Sequence, residues 1–181
     1  ISEAEDVYAL ARILAKQPED DADAILTAEL RADYLRFGIS SGYHEAYADL
    51  QTAEYILKQD ISLTNSRDGN ETFQGIPNFA GTFDGQGRTI TVDFTLAGTQ
   101  SGSAQFGCLF KTLGTARTGS DEAKGATVKN LYLSGRLVTG AGGLTVAGGL
   151  QDIGVLAGAS AAADHTLENI VTDVETDLTI L

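Results

Sequence analysis

Thr89-Ile90-Thr91-Val92, Thr127-Val128-Lys129-Asn130-Leu131 and Thr166-Leu167-Glu168-Asn169-Ile170 are three strand-like stretches that open alike, with threonine followed by an aliphatic residue. Aligned on that opening, Ile90, Val128 and Leu167 correspond and lie 38 and 39 residues apart. A glycine-flanked apolar turn precedes each one across a variable loop: Gly81-Thr82-Phe83, Gly107-Cys108-Leu109-Phe110 and Gly154-Val155-Leu156-Ala157-Gly158. Periods of this size belong to repeat architectures, whose units bury their apolar faces against their neighbours. The units are too rich in glycine for helices, because each interior glycine costs about 1 kcal/mol relative to alanine. Equivalent strands of successive units would run parallel, about 4.8 Å apart, and each unit supplies the long return path that parallel pairing needs. The expected fold is therefore mainly β: a right-handed parallel β-helix, or β-solenoid, with Ile90 stacked on Val128 and Val128 on Leu167.

Working outward, Ile90, Val92, Phe94 and Leu96 alternate with Thr91, Asp93 and Thr95, the signature of a half-buried strand. Asp93 stands where Leu131 and Ile170 are apolar, which gives the first unit a different register. Asn130 and Asn169 match, and are expected to stack at a bend where asparagine tolerates left-handed geometry. Loops 114–125 and 139–149 carry the length variation and are expected to project as excursions. Upstream, Tyr55-Ile56-Leu57 and Ile61-Ser62-Leu63 read as strands flanking a polar kink at Gln59-Asp60.

Residues 1–52 read as an α-helical cap region, and residues 53–181 as the solenoid. Ser2 with Glu5 forms a capping-box pattern ahead of Val7, Leu10, Ala11 and Leu14, and Pro18 ends that helix. A second helix is expected from Ala22 to Phe37 on the stripe Leu26, Leu30, Tyr34 and Phe37, with Gly38 as left-handed cap. A short third helix is expected within Ser40 to Thr52. The chain lacks methionine, so Ile1 is expected to follow processing or trimming. Nothing in the sequence caps the strand-like run up to Leu181. The polypeptide is accordingly expected to continue with further coils or a following domain, and in an isolated fragment the C-terminal coil is expected either to associate edge to edge with another molecule or to fold back over the open end.

Composition excludes several functions. With 12 Lys and Arg against 25 Asp and Glu, the net charge is −13, and no basic cluster offsets it. Phosphate backbones are repelled, so nucleic acid is not an expected partner. No apolar run approaches the roughly 20 residues of a membrane helix. The one cysteine, Cys108, sits among Phe106, Leu109 and Phe110 and reads as a small buried apolar residue.

The stretch Phe79-Ala80-Gly81-Thr82-Phe83-Asp84-Gly85-Gln86-Gly87-Arg88-Thr89-Ile90 closely resembles the F-x-GTFDG-x-GHTI segment of bacterial surface proteins with GLUG-type repeats, including the β-helical region of IgA-protease-like surface proteins. The order of Ile1-to-Val7, Tyr55-to-Leu63, Gly107-to-Phe110 with Val128-to-Leu131, and Gly154-to-Gly158 with Leu167-to-Asn169 is similar too. The resemblance implies a secreted or cell-wall-attached location and a structural or adhesive role. It does not imply protease activity, because the metal-binding protease motif is absent.

Candidate chemistry is sparse. Asp84, between Gly81 and the pair Gly85 and Gly87, could ligate calcium or act as an acid, but an Asx-type turn beside the glycines is the preferred reading. Asn65, Asp68, Asn70 and Glu71 form an oxygen-rich loop suited to calcium or simply to solvent. His44 and His165, the only histidines, show no zinc spacing. A nucleophilic dyad would have to join one of them to Cys108. Tyr43, Tyr47 and Tyr55, with Tyr34, could form a sugar-stacking platform or pack the helices against the first coil. No cofactor is expected. Two functions stay open: a non-catalytic module that displays loops or binds a protein or glycan, and a carbohydrate-active β-helix such as a polysaccharide lyase or glycosidase. A lyase acting on acidic polysaccharide would want Lys and Arg in its groove, and the strands expose few.

Overall fold

A computed structural model describes residues 1–16, 26–66, 72–101, 107–116, 122–147 and 154–179. Among these residues three helices, α1 (Ala4–Leu14), α2 (Ala28–Arg36) and α3 (Tyr43–Thr52), precede seven strands. The strands are β1 (Glu54–Ile56), β2 (Ile61–Thr64), β3 (Thr82–Ser101), β4 (Phe110–Leu113), β5 (Thr127–Ala147), β6 (Ala157–Ser160) and β7 (Thr166–Asp177). The fold is mostly β, a helical N-terminus followed by a parallel five-stranded sheet.

The start of α1 is shifted by one residue from the Ser2/Glu5 pattern. The Asp6 carboxylate accepts the Ser2 and Glu3 amides at 2.7 and 3.3 Å, which makes Glu3 the N-cap. The second helix is described only from Ala28, with Thr27 capping Leu30 N–H at 3.3 Å; its expected start at Ala22, like Pro18, lies outside the described residues. Gly38 follows its last turn at φ +79°, the left-handed cap that a Cβ disfavours. Arg12 of α1 forks onto Asp33 of α2 at 2.8 and 2.6 Å, and Arg36 reaches back to Glu3 at 2.8 Å. Asp33 is buried, so the bidentate guanidinium offsets the cost of desolvating it.

In the large sheet the order is β1-β3-β5-β7, with β2 pairing further along β3, and every pairing is parallel. A second parallel pair, β4 with β6, is extended by bridges from Ile76 to Phe110 and from Phe79 to Leu113. The chain passes in turn from the 76–79 segment to β3, β4, β5, β6 and β7, alternating between the two sheets. Their inner faces share one core with the helices.

The register corrects the repeat alignment in the first unit. Val128 does stack on Leu167, but the residue above Val128 is Phe83, and Ile90 stands between Ile61 and Leu133. Phe83 and Val128 are 45 residues apart, Ile90 and Leu133 only 43. Two extra residues at Gly85 to Gly87 swell the first bend, and the register shifts between Asp84 and Arg88. Asp93 consequently faces Arg136 and not Leu131, and pairs with it at 2.7 Å. In the small sheet, likewise, Gly107-to-Phe110 matches Gly154-to-Ala157, but the rung before them is Ile76 and not Gly81.

The 139–149 stretch is mostly strand. Thr139 pairs with Leu96, and Leu144 to Ala147 pair with Gly98 to Ser101, with a bulge between; Gly148 and Gly149 are outside the described residues. The 114–125 excursion is closed at its neck by an antiparallel bridge between Thr115 and Lys124, and residues 117–121 are outside the described set.

Candidate functional site

Asp84, Asn130 and Asn169 form a polar ladder across β3, β5 and β7. Asn169 Nδ2 donates to Asn130 Oδ1 at 3.0 Å, and Asn130 Nδ2 donates to Asp84 Oδ1 at 3.1 Å. Both asparagines hold left-handed backbone, φ +53° and +52°, which turns the strands at this corner. Asp84 ends the ladder as a pure acceptor. Its Oδ1 also accepts the Gln86 amide N–H at 2.9 Å, an Asx turn, and Oδ2 accepts Gln86 Nε2 at 2.8 Å with Lys129 Nζ 3.6 Å away. The glycines around it make room: a Cβ on Gly81 would overlap the Ala53 carbonyl, one on Gly85 would overlap that of Asn130, and Gly87 has φ +71°.

These donors hold the Asp84 carboxyl below its ordinary value. The Gln86 N–H contributes most, then the Asn130 and Gln86 side chains and the Lys129 charge, all acting against burial. A lowered folded-state pKa stabilises the fold above the ordinary carboxylate value and stops doing so as pH falls through the lowered one. Asp84→Asn is expected to cost about 1 kcal/mol at pH 7, because an amide nitrogen then meets the donors of Gln86 or Asn130. It should also flatten part of the stability loss below about pH 4. Urea midpoints at pH 7 and pH 3 check this; a variant with the full acid sensitivity of the parent would refute the ladder's electrostatic role.

The tyrosines do not form a platform. Tyr43, Tyr47 and Tyr55 are buried, and their hydroxyls donate to the carbonyls of Ser40, Leu14 and Leu50 at 3.0, 3.3 and 2.6 Å. Tyr34 is fully buried, packs on Tyr43 with ring centroids 4.9 Å apart, and has its hydroxyl pKa pushed up to about 12 by desolvation. These rings join the helices to the strands and present no face to a sugar.

Cys108 is buried and its thiol is pushed up to about 12 by desolvation, so little nucleophilic thiolate is present. His165 lies 2.8 Å from Ser160 Oγ through Nε2, a contact that the sequence pattern did not suggest and that resembles a nucleophile–base pair. Its chemistry points the other way. Nδ1 accepts the Ala126 N–H at 2.9 Å, so in the neutral ring the proton is on Nε2, and Ser160 Oγ accepts it while donating to the Ala162 carbonyl at 2.6 Å. A general base needs Nε2 unprotonated, with a carboxylate or carbonyl accepting from Nδ1–H. Ser160 and His165 therefore clasp the chain between β6 and β7.

Asp68, Asn70 and Glu71 lie outside the described residues. Asn65 is used structurally, its amide donating to the Thr95 carbonyl and accepting from the Thr95 amide, both at 2.9 Å, which extends the β2–β3 ladder by one rung. Among the described residues no cluster of His, Cys, Asp and Glu could hold a metal, and no helix is long and apolar enough to cross a membrane. A cleft of about 380 Å³ opens between α1 and the 72–78 segment, lined by Tyr8, Arg12, Phe73, Gln74, Asn78 and Lys111. Its two cations are engaged, Arg12 with Asp33 and Lys111 with Gln74 Oε1 at 3.0 Å. Comparison with known proteins yields no significant match to a family model, a curated protein or a solved structure.

Proposed function

We propose that this chain is a β-solenoid module of a secreted or surface-attached bacterial protein, which displays loops or binds a protein or glycan without catalysis. The observation that carries this reading is the path of the chain, which alternates between two parallel sheets rung by rung, with side chains of successive rungs in columns. A right-handed coil is the expected sense, as for nearly all parallel crossovers. Such a stack is stiff and carries loops between its rungs, here the one whose base is closed by the bridge of Thr115 with Lys124. The polar groups described above are occupied in holding corners, which suits a scaffold. The likeness of Phe79-to-Ile90 to GLUG-type repeats is what supports the proposed surface location and bacterial setting.

A glycan array run beside a panel of soluble polysaccharides tests the assignment. Retention on defined glycans or proteins with no new chain ends is the expected result. Release of reducing or unsaturated ends from any polysaccharide would move the chain to the carbohydrate-active class.

A further inference from the structure

The cleft bounded by α1, the 72–78 segment and β4 has a volume of about 380 Å³, within the range of small-ligand sites. Its walls are fixed by contacts made outside it. The Tyr8 hydroxyl accepts the Thr64 amide at 2.9 Å and donates to the Thr64 carbonyl at 3.1 Å, and the Tyr8 ring stands edge-on to Phe73 at 5.2 Å. Phe73 in turn packs on Phe94 of β3, with ring centroids 6.0 Å apart. Gly75, at φ +89°, lets its segment lie directly on β4, because a Cβ there would overlap the Lys111 amide nitrogen and the Cys108 carbonyl oxygen. A cleft held open in this way needs little reorganisation to admit a ligand.

Charge narrows the class of ligand. The protein carries 25 acids against 12 bases, yet among the described residues the cleft is lined by two bases, Arg12 and Lys111, and by no acid. Arg12 is compensated by Asp33 and Glu5, which hold it at 2.6 and 2.7 Å. Lys111 instead meets a neutral partner, Gln74 Oε1 at 3.0 Å, which leaves its charge uncompensated. A carboxylate on that ammonium makes a charge-assisted hydrogen bond, about twice as strong as a neutral one. The rest of the lining is mixed. Ala11 and Pro77 give an apolar flank, while Gln74, Asn78 and Thr112 add amide and hydroxyl groups. That mixture suits a sugar ring, which presents C–H faces beside hydroxyls. The net charge of −13 repels a long polyanion, so a single acidic residue fits better than a stretch of them.

We propose that this cleft binds one carboxylate-bearing sugar residue, free or at the end of a glycan, with Lys111 as the partner of the carboxylate. Such binding rests on the glycan-binding role proposed above and gives it a site and a ligand class.

Isothermal titration of the full 181-residue chain with D-glucuronate, N-acetylneuraminate, D-glucose and acetate tests it. At least one acidic sugar should bind about tenfold more tightly than glucose, which lacks the carboxylate, and than acetate, which lacks the ring. Lys111→Gln should weaken that binding about tenfold. Ala15→Tyr, at the exposed rim, should obstruct the cleft and weaken it at least as much. Neither side chain is buried, and circular dichroism verifies folding. Binding of neither acid overturns the proposal. So does glucose or acetate binding as tightly as the acidic sugars, or an affinity unchanged in either variant. A glycan-array signal that survives both substitutions overturns this site while leaving the glycan role standing. Cleavage of a polysaccharide by a chain that still binds the acid through Lys111 does the reverse, keeping the site and overturning the non-catalytic reading.

Discussion

Phe110→Ala is expected to lower the free energy of unfolding by about 3–5 kcal/mol, while Val171→Ala changes it by less than about 1 kcal/mol. Phe110 is fully buried on β4 and joins the two sheets. Its ring meets Phe79 at 5.0 Å and stands edge-on to Phe83 of β3 at 5.6 Å and 83°. Phe79 in turn touches Tyr55, which touches Phe37 at the end of α2, so one aromatic chain runs from the helices to both sheets. Truncating the ring that links the two sheets leaves a void that neither sheet can close alone, since each is held in register by its own ladder. Val171 is on the open edge and leaves no void. Equilibrium urea unfolding of both variants measures the difference. A loss at Phe110 below about 1.5 kcal/mol would mean that the sheets pack independently.

Much of this arrangement is legible in the sequence, and the reasons for what is not are specific. The parallel pairing of Val128 with Leu167 follows from two stretches that match residue for residue, Thr-Val-Lys-Asn-Leu and Thr-Leu-Glu-Asn-Ile, with the asparagines at the same left-handed corner. The first unit misleads because it offers two threonine–apolar openings, Thr82-Phe83 and Thr89-Ile90, and the second resembles the later strands more closely. The two extra residues in Gly85 to Gly87 decide the register, and their effect is a local backbone bend that hydrophobic alternation does not encode. The tyrosines show a related limit. The sequence puts Tyr34 on the apolar stripe of one helix and Tyr43 and Tyr47 four residues apart on the next, yet whether their faces meet solvent or a neighbouring element depends on how the helices dock. The contact between Ser160 and His165 joins residues five apart across a turn and has no periodic signal at all. Even with the pair in view, only the Ala126 N–H on Nδ1 reveals that its proton arrangement opposes nucleophilic use.

Gly135→Ala is expected to destabilise the protein by about 3 kcal/mol or more, a large effect for one added methyl group. Gly135 lies in the middle of β5, between Val92 of β3 and Val174 of β7. Its backbone has φ +109°, where any L side chain is strained, and a Cβ built on it would overlap the Val92 carbonyl oxygen. The obstacle is backbone in a paired neighbouring strand and not the end of a movable side chain, so relief requires the β3–β5 ladder itself to shift. That ladder carries the adjacent Ile90–Leu133 and Phe94–Leu137 columns, whose four side chains are all buried, and a shift there is felt on both sides. Gly87 provides the control. It also has positive φ, +71°, but nothing lies within 4 Å of a Cβ placed there, so Gly87→Ala carries the conformational cost alone. The melting temperature of the Gly135 variant should therefore fall well below that of the Gly87 variant. Equal losses at the two sites would show that strain in φ dominates and that β3 and β5 yield readily, against the rigid pairing on which the register of the whole sheet depends.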